Sequence, residues 1–140
     1  ELQRLVDQGF LTPEQGRAVE GEKLLAFFRS DLGREMMAAP MLRREFKFSI
    51  LAPAGRYFPA AGAEEQVLLQ GVVDAYCGTE EGLTVVDFKT DHVYGPALTQ
   101  RAEEYRPQLE AYAQALEEIT GRPVARRVLW FFSEGRAVEI

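Results

Sequence analysis

The 140-residue chain has one cysteine, one histidine, and no apolar run approaching the roughly 20 residues that cross a bilayer as a helix. A lone Cys77 excludes an internal disulfide and any metal cluster built on several cysteines. It is expected to sit inside a strand as a small hydrophobe. No basic-then-apolar leader opens the chain, so nothing in it suggests secretion. It begins at Glu1 without a Met and is expected to be a piece of something longer. Basic charge is scarce too: 16 Lys and Arg stand against 22 Asp and Glu, a formal net charge of −6. That balance argues against a free-standing, high-affinity nucleic-acid binder, because such binding draws on phosphate neutralisation. No internal repeat or low-complexity tract appears.

What is present reads as one soluble globular domain. Hydrophobic residues make up 46% and charged residues 27%, and the length suffices for a core. The acids come in short pairs, Glu64-Glu65, Glu80-Glu81, Glu103-Glu104 and Glu117-Glu118, as on turns and exposed helix faces. Arg43-Arg44 and Arg126-Arg127 are the only basic doublets.

Thr12-Pro13-Glu14-Gln15 predicts a helix start, with Thr12 as cap, Pro13 at the first helical position and Gln15 closing a capping box. The helix is expected to reach about Arg29, with Ala18, Val19, Leu25, Ala26 and Phe28 facing inward. Ser30 or Asp31 caps a further short helix that Pro40 stops. Residues 43–51 alternate as a strand, and residues 52–65 read as a loop. Strands follow over about 66–77 and 83–90. Residues 99–120 are helical in pattern, with a break or fresh start expected at Pro107 and an inner face of Leu109, Tyr112, Ala113, Leu116 and Ile119. Gly121 stops that helix before a strand over 124–132, and Ala137–Ile140 adds a last one. The order predicts a mixed α/β domain whose sheet is partly covered by helices.

The hairpin Gly71–Asp91, GVVDAYCGTEEGLTVVDFKTD, carries polar residues inside apolar runs. With Glu80-Glu81 at the tip, partner numbers add to 161. Asp74 then faces Asp87, and Val72 faces Lys89. Asp74, Asp87 and Lys89 share one sheet face; Val73, Ala75, Val86 and Phe88 fill the other. Two carboxylates about 5 Å apart repel unless a cation lies between them. All-oxygen ligation suits a hard ion such as Mg2+, and a neighbouring ammonium suits a phosphoryl centre gathering charge. The chemistry implied is metal-assisted phosphodiester hydrolysis. A structural Asp–Lys ion pair at a strand end would produce the same local pattern.

GVVD, then VVDFKTD, then Y-x-x-QLEAYAQAL resembles the RecB-like branch of the PD-(D/E)XK nuclease superfamily. Within it, the whole chain is similar to the C-terminal nuclease domains of the AddA family of bacterial helicase–nucleases. The likeness runs from FLTPEQ and LLAFFRSDLGREMM through REFKFSI and EEYRPQLEAYAQALEEITGRPV to VLWFFSEGRAVEI. It implies a restriction-endonuclease-like α/β fold over residues 1–140, with a mixed central sheet flanked by helices. It implies Asp74 and Asp87 as metal ligands, the main-chain carbonyl of Phe88 as another, and Lys89 as the catalytic lysine. Gln108 and Tyr112 match the family's Gln-x-x-x-Tyr motif, and Tyr105 fits a supporting role. Glu45 is either a third carboxylate at the metal or a strand-end partner of Arg43 or Lys47, with support of the site the favoured reading. His92 follows the lysine motif and reads as a loop residue. The family's metal-binding histidine lies on a helix upstream of the matched region, so the site here is expected to be partly built. The implied activity is Mg2+-dependent exonuclease action, or Mn2+-dependent in its place, on single strands fed by a helicase motor during double-strand-break repair. The implied setting is the bacterial cytoplasm with AddB as partner, and ATP is used only by the helicase part. A nuclease fold kept for DNA or partner binding, and a RecB-like nuclease acting alone, are the competing readings.

Overall fold

The computed structural model describes residues 7, 9, 12–18 and 21–140. Helices α1 (Pro13–Ala18), α2 (Gly21–Arg29) and α3 (Asp31–Ala38) precede strand β1 (Met41–Pro53). A single 3-10 turn, Ala54–Arg56, and a loop lead to β2 (Gln66–Thr79) and β3 (Gly82–Lys89). Helix α4 (Pro96–Thr120) then crosses to β4 (Val124–Phe131), and β5 (Arg136–Glu139) closes the chain. The strands lie in the order β1-β2-β3-β4-β5. Neighbours are antiparallel except β3 and β4, which run parallel because α4 returns the chain to the same end. This is the mixed α/β sheet with flanking helices that the sequence implied.

Local chemistry starts and stops the elements as expected. The Gln15 main-chain N–H donates to Thr12 Oγ1 at 3.1 Å, and the Thr12 N–H donates to Gln15 Oε1 at 2.9 Å, completing the capping box. Ser30, rather than Asp31, caps α3 by accepting from the Gly33 N–H. Gly121 ends α4 at φ 70°, its N–H donating to the Glu117 carbonyl.

Two apolar layers sandwich the sheet. On one side Leu24, Phe27, Leu32 and Met36 of α2 and α3 pack on Ala75, Cys77, Val86, Phe88, Val128 and Trp130. On the other, Leu98, Ala102, Leu109, Tyr112, Ala115 and Leu116 of α4 cover Phe48, Val73, Tyr76, Val85, Leu129 and Phe131. Cys77 is fully buried in β2.

Several expectations are corrected. Pro107 does not break α4, which runs unbroken from Pro96. Pro107 and Glu103, the residue whose carbonyl loses its helical donor, both lie on the exposed side of the helix. Ile119 is 47% exposed, since inward contacts end at Ala115 and Leu116 and the last turn serves the cap. In α2 the inward residues are Leu24 and Phe27, three apart on one face, which turns Leu25 and Ala26 outward; Phe28 is half-buried against the core. Val19 and the side chain of Ala18 lie outside the described residues.

Candidate active site

The site grows from the point where the β2–β3 hairpin stops being regular. The predicted register holds from Thr79↔Gly82 to Ala75↔Val86, with Glu80-Glu81 as the turn. It ends one pair short of Asp74 and Asp87, so Val72 does not pair with Lys89. Val72 instead faces Lys47 of β1. The Asp74 carboxylate takes over as acceptor, receiving the Phe88 N–H at 2.8 Å on Oδ2. Strand alternation also breaks here. Val73 packs with Tyr76 and Val85, not with Ala75 and Val86 as regular alternation required. Across from this irregularity the β1–β2 ladder skips Glu45, whose φ of 49° is the only positive value outside glycine among the described residues.

Asp87 and Lys89 extend from the end of β3. Asp87 is 4% exposed, and its Oδ2 lies 2.6 Å from Lys89 Nζ. The contact lacks hydrogen-bond direction, so this buried oxygen receives no hydrogen bond despite the nearby positive charge. Lys89 Nζ donates instead to Gln108 Oε1 at 2.9 Å and lies 3.8 Å from the centre of the Tyr105 ring. Gln108 Nε2 donates onward to Tyr112 Oη at 3.0 Å. Gln108 and Tyr112 are four apart and Tyr105 one turn earlier, so a single edge of α4 presents all three over the strand end. The unbroken helix through Pro107 is what keeps that edge in line.

The electrostatics follow from burial. Burial, then the adjacent Asp87 carboxylate, push the Asp74 carboxyl up to about 8, outweighing the Phe88 N–H and Lys89 that pull it down. Burial and the same two carboxylates push the Tyr112 hydroxyl up to about 12, so it remains a proton donor at neutral pH. Two crowded carboxyl groups, one shifted by burial toward its neutral form and the other with a buried oxygen lacking a hydrogen bond, are a donor set a hard divalent ion would complete. The Phe88 carbonyl, expected from the resemblance to be a further ligand, lies between the two residues Asp87 and Lys89 in the chain. It already accepts from Gln15 Nε2 at 3.3 Å, which leaves one of its lone pairs. Among the described residues no cluster of three or more His, Cys, Asp or Glu side chains could hold a metal. An ion here would therefore keep several waters, as Mg2+ does.

Comparison with known proteins gives the family. A sequence model of the PD-(D/E)XK nuclease superfamily matches residues 1–139. The chain belongs to that superfamily. Its curated relatives include the A component of the ATP-dependent helicase/nuclease of Desulforamulus reducens, 36% identical over 99% of this chain. The same component from Carboxydothermus hydrogenoformans and from Lacticaseibacillus casei is 37% and 40% identical over 97% and 99% of it. The chain spans only 11–12% of the length of these relatives. The likeness to the AddA family drawn from the sequence thus extends along the whole chain.

Of the residues that the sequence singles out, the structure brings together Asp74, Asp87, Phe88, Lys89, Tyr105, Gln108 and Tyr112. Glu45 is exposed near Gly9, at the β1 position between Arg44 and Phe46 that lies opposite Asp74. His92 is exposed in the loop after β3, as expected of a loop residue. The capping box accounts for Gln15 at the level of sequence, and nothing in its local context points to Phe88. Gly71 of the GVVD run also has a site role. A Cβ there would meet Phe48 Cζ at 2.9 Å and Tyr112 Cε1 at 3.2 Å, so glycine is what lets Tyr112 settle against β2.

Proposed function

We propose that this domain hydrolyses DNA phosphodiester bonds with a divalent metal, acting on single strands within a larger helicase–nuclease. The observation that carries the reading is the convergence of Asp74, Asp87 and Lys89 at one strand end, with Lys89 held by neutral groups of α4. Asp74, Asp87 and the Phe88 carbonyl would hold Mg2+, or Mn2+ in its place. Such an ion supplies Lewis-acid polarisation of a phosphoryl oxygen and a more acidic bound water. Lys89 brings a compact positive charge to the phosphate as negative charge builds on it. Gln108 fixes the ammonium, and the Tyr112 hydroxyl, donor-competent at neutral pH, holds Gln108 in turn.

The relatives are named as components of an ATP-dependent helicase/nuclease, which supports the wider setting. There the motor would feed single strands to this exonuclease during double-strand-break repair, using ATP outside residues 1–140, beside its AddB partner in the bacterial cytoplasm. Delivery by a motor also reconciles the −6 charge with a DNA substrate, because the domain need not capture the strand by itself. Among the described residues no helix is long and apolar enough to cross a membrane.

A second reading, a nuclease fold retained for binding, draws on the two-carboxylate donor set, which an upstream histidine would complete. Cleavage of end-labelled single-stranded DNA by the full helicase–nuclease chain decides between them. Mg2+-dependent cleavage that EDTA abolishes is expected. A folded, ATP-hydrolysing chain that leaves the strand intact with Mg2+ and with Mn2+ would favour the binding module.

A further inference from the structure

We propose that Asp91, anchored by Arg101, is a positioning residue for Lys89 that acts through the Tyr105 ring; this rests on the nuclease reading above. A lysine has four rotatable bonds, and the polar and ring contacts that select one arrangement of Lys89 include Asp87, Gln108 and Tyr105. Asp87 is one of them, and Asp87 is also in the candidate metal set. The contacts that hold the ammonium without cancelling its charge are the Gln108 amide and the Tyr105 ring face, 3.8 Å from Nζ.

A ring face holds a cation only where the ring is itself held. The Tyr105 hydroxyl donates to the Asp91 carboxylate, 2.9 Å from Oδ2 and 3.1 Å from Oδ1. Asp91 is also fixed by Arg101, whose Nη1 meets the same Oδ2 at 2.8 Å, and Arg101 meets Glu104 at 3.2 Å. Arg101 and Tyr105 are four apart on α4, so they close on Asp91 together. Tyr105 remains a phenol, its hydroxyl pushed up by burial first and then by Asp91. The arrangement keeps the Asp91 charge occupied by Arg101 and the phenol rather than by Lys89.

The test uses the full helicase–nuclease chain, with ATP hydrolysis and thermal melting as checks of folding. Asp91→Ala and Tyr105→Phe should each lower kcat for single-strand cleavage by roughly 10-fold, with KM changed less than about twofold, as for a misplaced catalytic group. Both break the same hydrogen bond, so the double variant should be no worse than the poorer single one. Asp91→Asn keeps an acceptor oxygen and should recover most of the loss. Tyr105→Leu, which removes the ring face as well, should fall further. Acetylation of lysines by acetic anhydride, read by mass spectrometry, should label Lys89 faster in Asp91→Ala than in the parent. Unchanged kcat and unchanged labelling in Asp91→Ala would overturn the inference, as would multiplicative losses in the double variant. Lys89→Ala, run beside them, separates the two levels. If it is inactive while Asp91→Ala and Tyr105→Phe are fully active, the positioning role alone falls. If it cleaves normally, the nuclease reading falls and takes this inference with it.

Discussion

The two faces of β3 come from the same eight residues and behave as different materials. On the face toward α2 and α3, Val86 packs in the apolar core and Phe88 joins a chain of aromatic contacts. Phe27 meets Phe88 at 5.1 Å and Trp130 at 5.2 Å edge-on, and Phe88 stacks on Phe132 at 5.7 Å. That layer is mostly apolar; its polar exceptions include Thr84, buried on the same face of β3, and Trp130 Nε1, buried without a hydrogen bond. On the face toward α4, the apolar packing of Val85 gives way to Asp87 and Lys89 at the strand end. There α4 changes character as well, from the buried Leu109, Ala113 and Leu116 to the row Tyr105, Gln108 and Tyr112. The contrast teaches that a buried base is tolerated where the opposing helix supplies polar partners at matching height, and the acid where that base lies beside it. The aromatic layer supplies none, and buried polar groups without partners are costly.

If the faces divide the labour this way, substitutions should separate activity from stability. The largest effect belongs to the polar face. Asp87→Asn should reduce Mg2+-dependent cleavage by about 1,000-fold or more and abolish Mn2+ binding, read by titration calorimetry. On the apolar face, Phe27→Ala should cost about 3–5 kcal/mol in denaturant unfolding, while each molecule still folded keeps its site.

Asp74 links the two properties through pH. Its folded value, about 8, lies above the ordinary 3.8, so the unfolded chain releases this proton first as pH rises. The metal-free protein should be most stable below pH 4 as far as this group is concerned, and should lose stability as pH rises toward 8. The loss is on the order of a few kcal/mol. Asp74→Asn should flatten that decline in thermal melts while eliminating cleavage. A smaller effect belongs to Gly71→Ala. Crowding Phe48 and Tyr112 should cost roughly 1–3 kcal/mol, with a loss of kcat beyond what unfolding explains. Least of all, Leu25→Ser on the outer side of α2 should change stability by no more than about 0.5 kcal/mol in either direction.

The sequence made the hairpin register legible because turn residues and apolar alternation both pointed to Glu80-Glu81 as its tip. Cap chemistry around Thr12, Ser30 and Gly121 was legible for the same local reason. The side chosen by Val73 was not, because alternation breaks where the Asp74 carboxylate captures the Phe88 N–H, a contact fourteen residues distant in the chain. Pro107 misled, since its helical cost depends on whether the orphaned carbonyl faces water. Asp91 stood in the VVDFKTD run, but its partners Arg101 and Tyr105 come from the next helix, and only the fold brings them together. Gln15 reaches Phe88 across 73 residues, beyond any local pattern.

The central claim is that Asp74, Asp87 and Lys89 make one cleaving site. Its most direct test is single-turnover cleavage of labelled single-stranded DNA by the full chain with Mg2+, comparing the parent with Lys89→Ala. The account predicts that cleavage disappears in Lys89→Ala while ATP hydrolysis continues at the parental rate. Cleavage at the parental rate without Lys89 would contradict it.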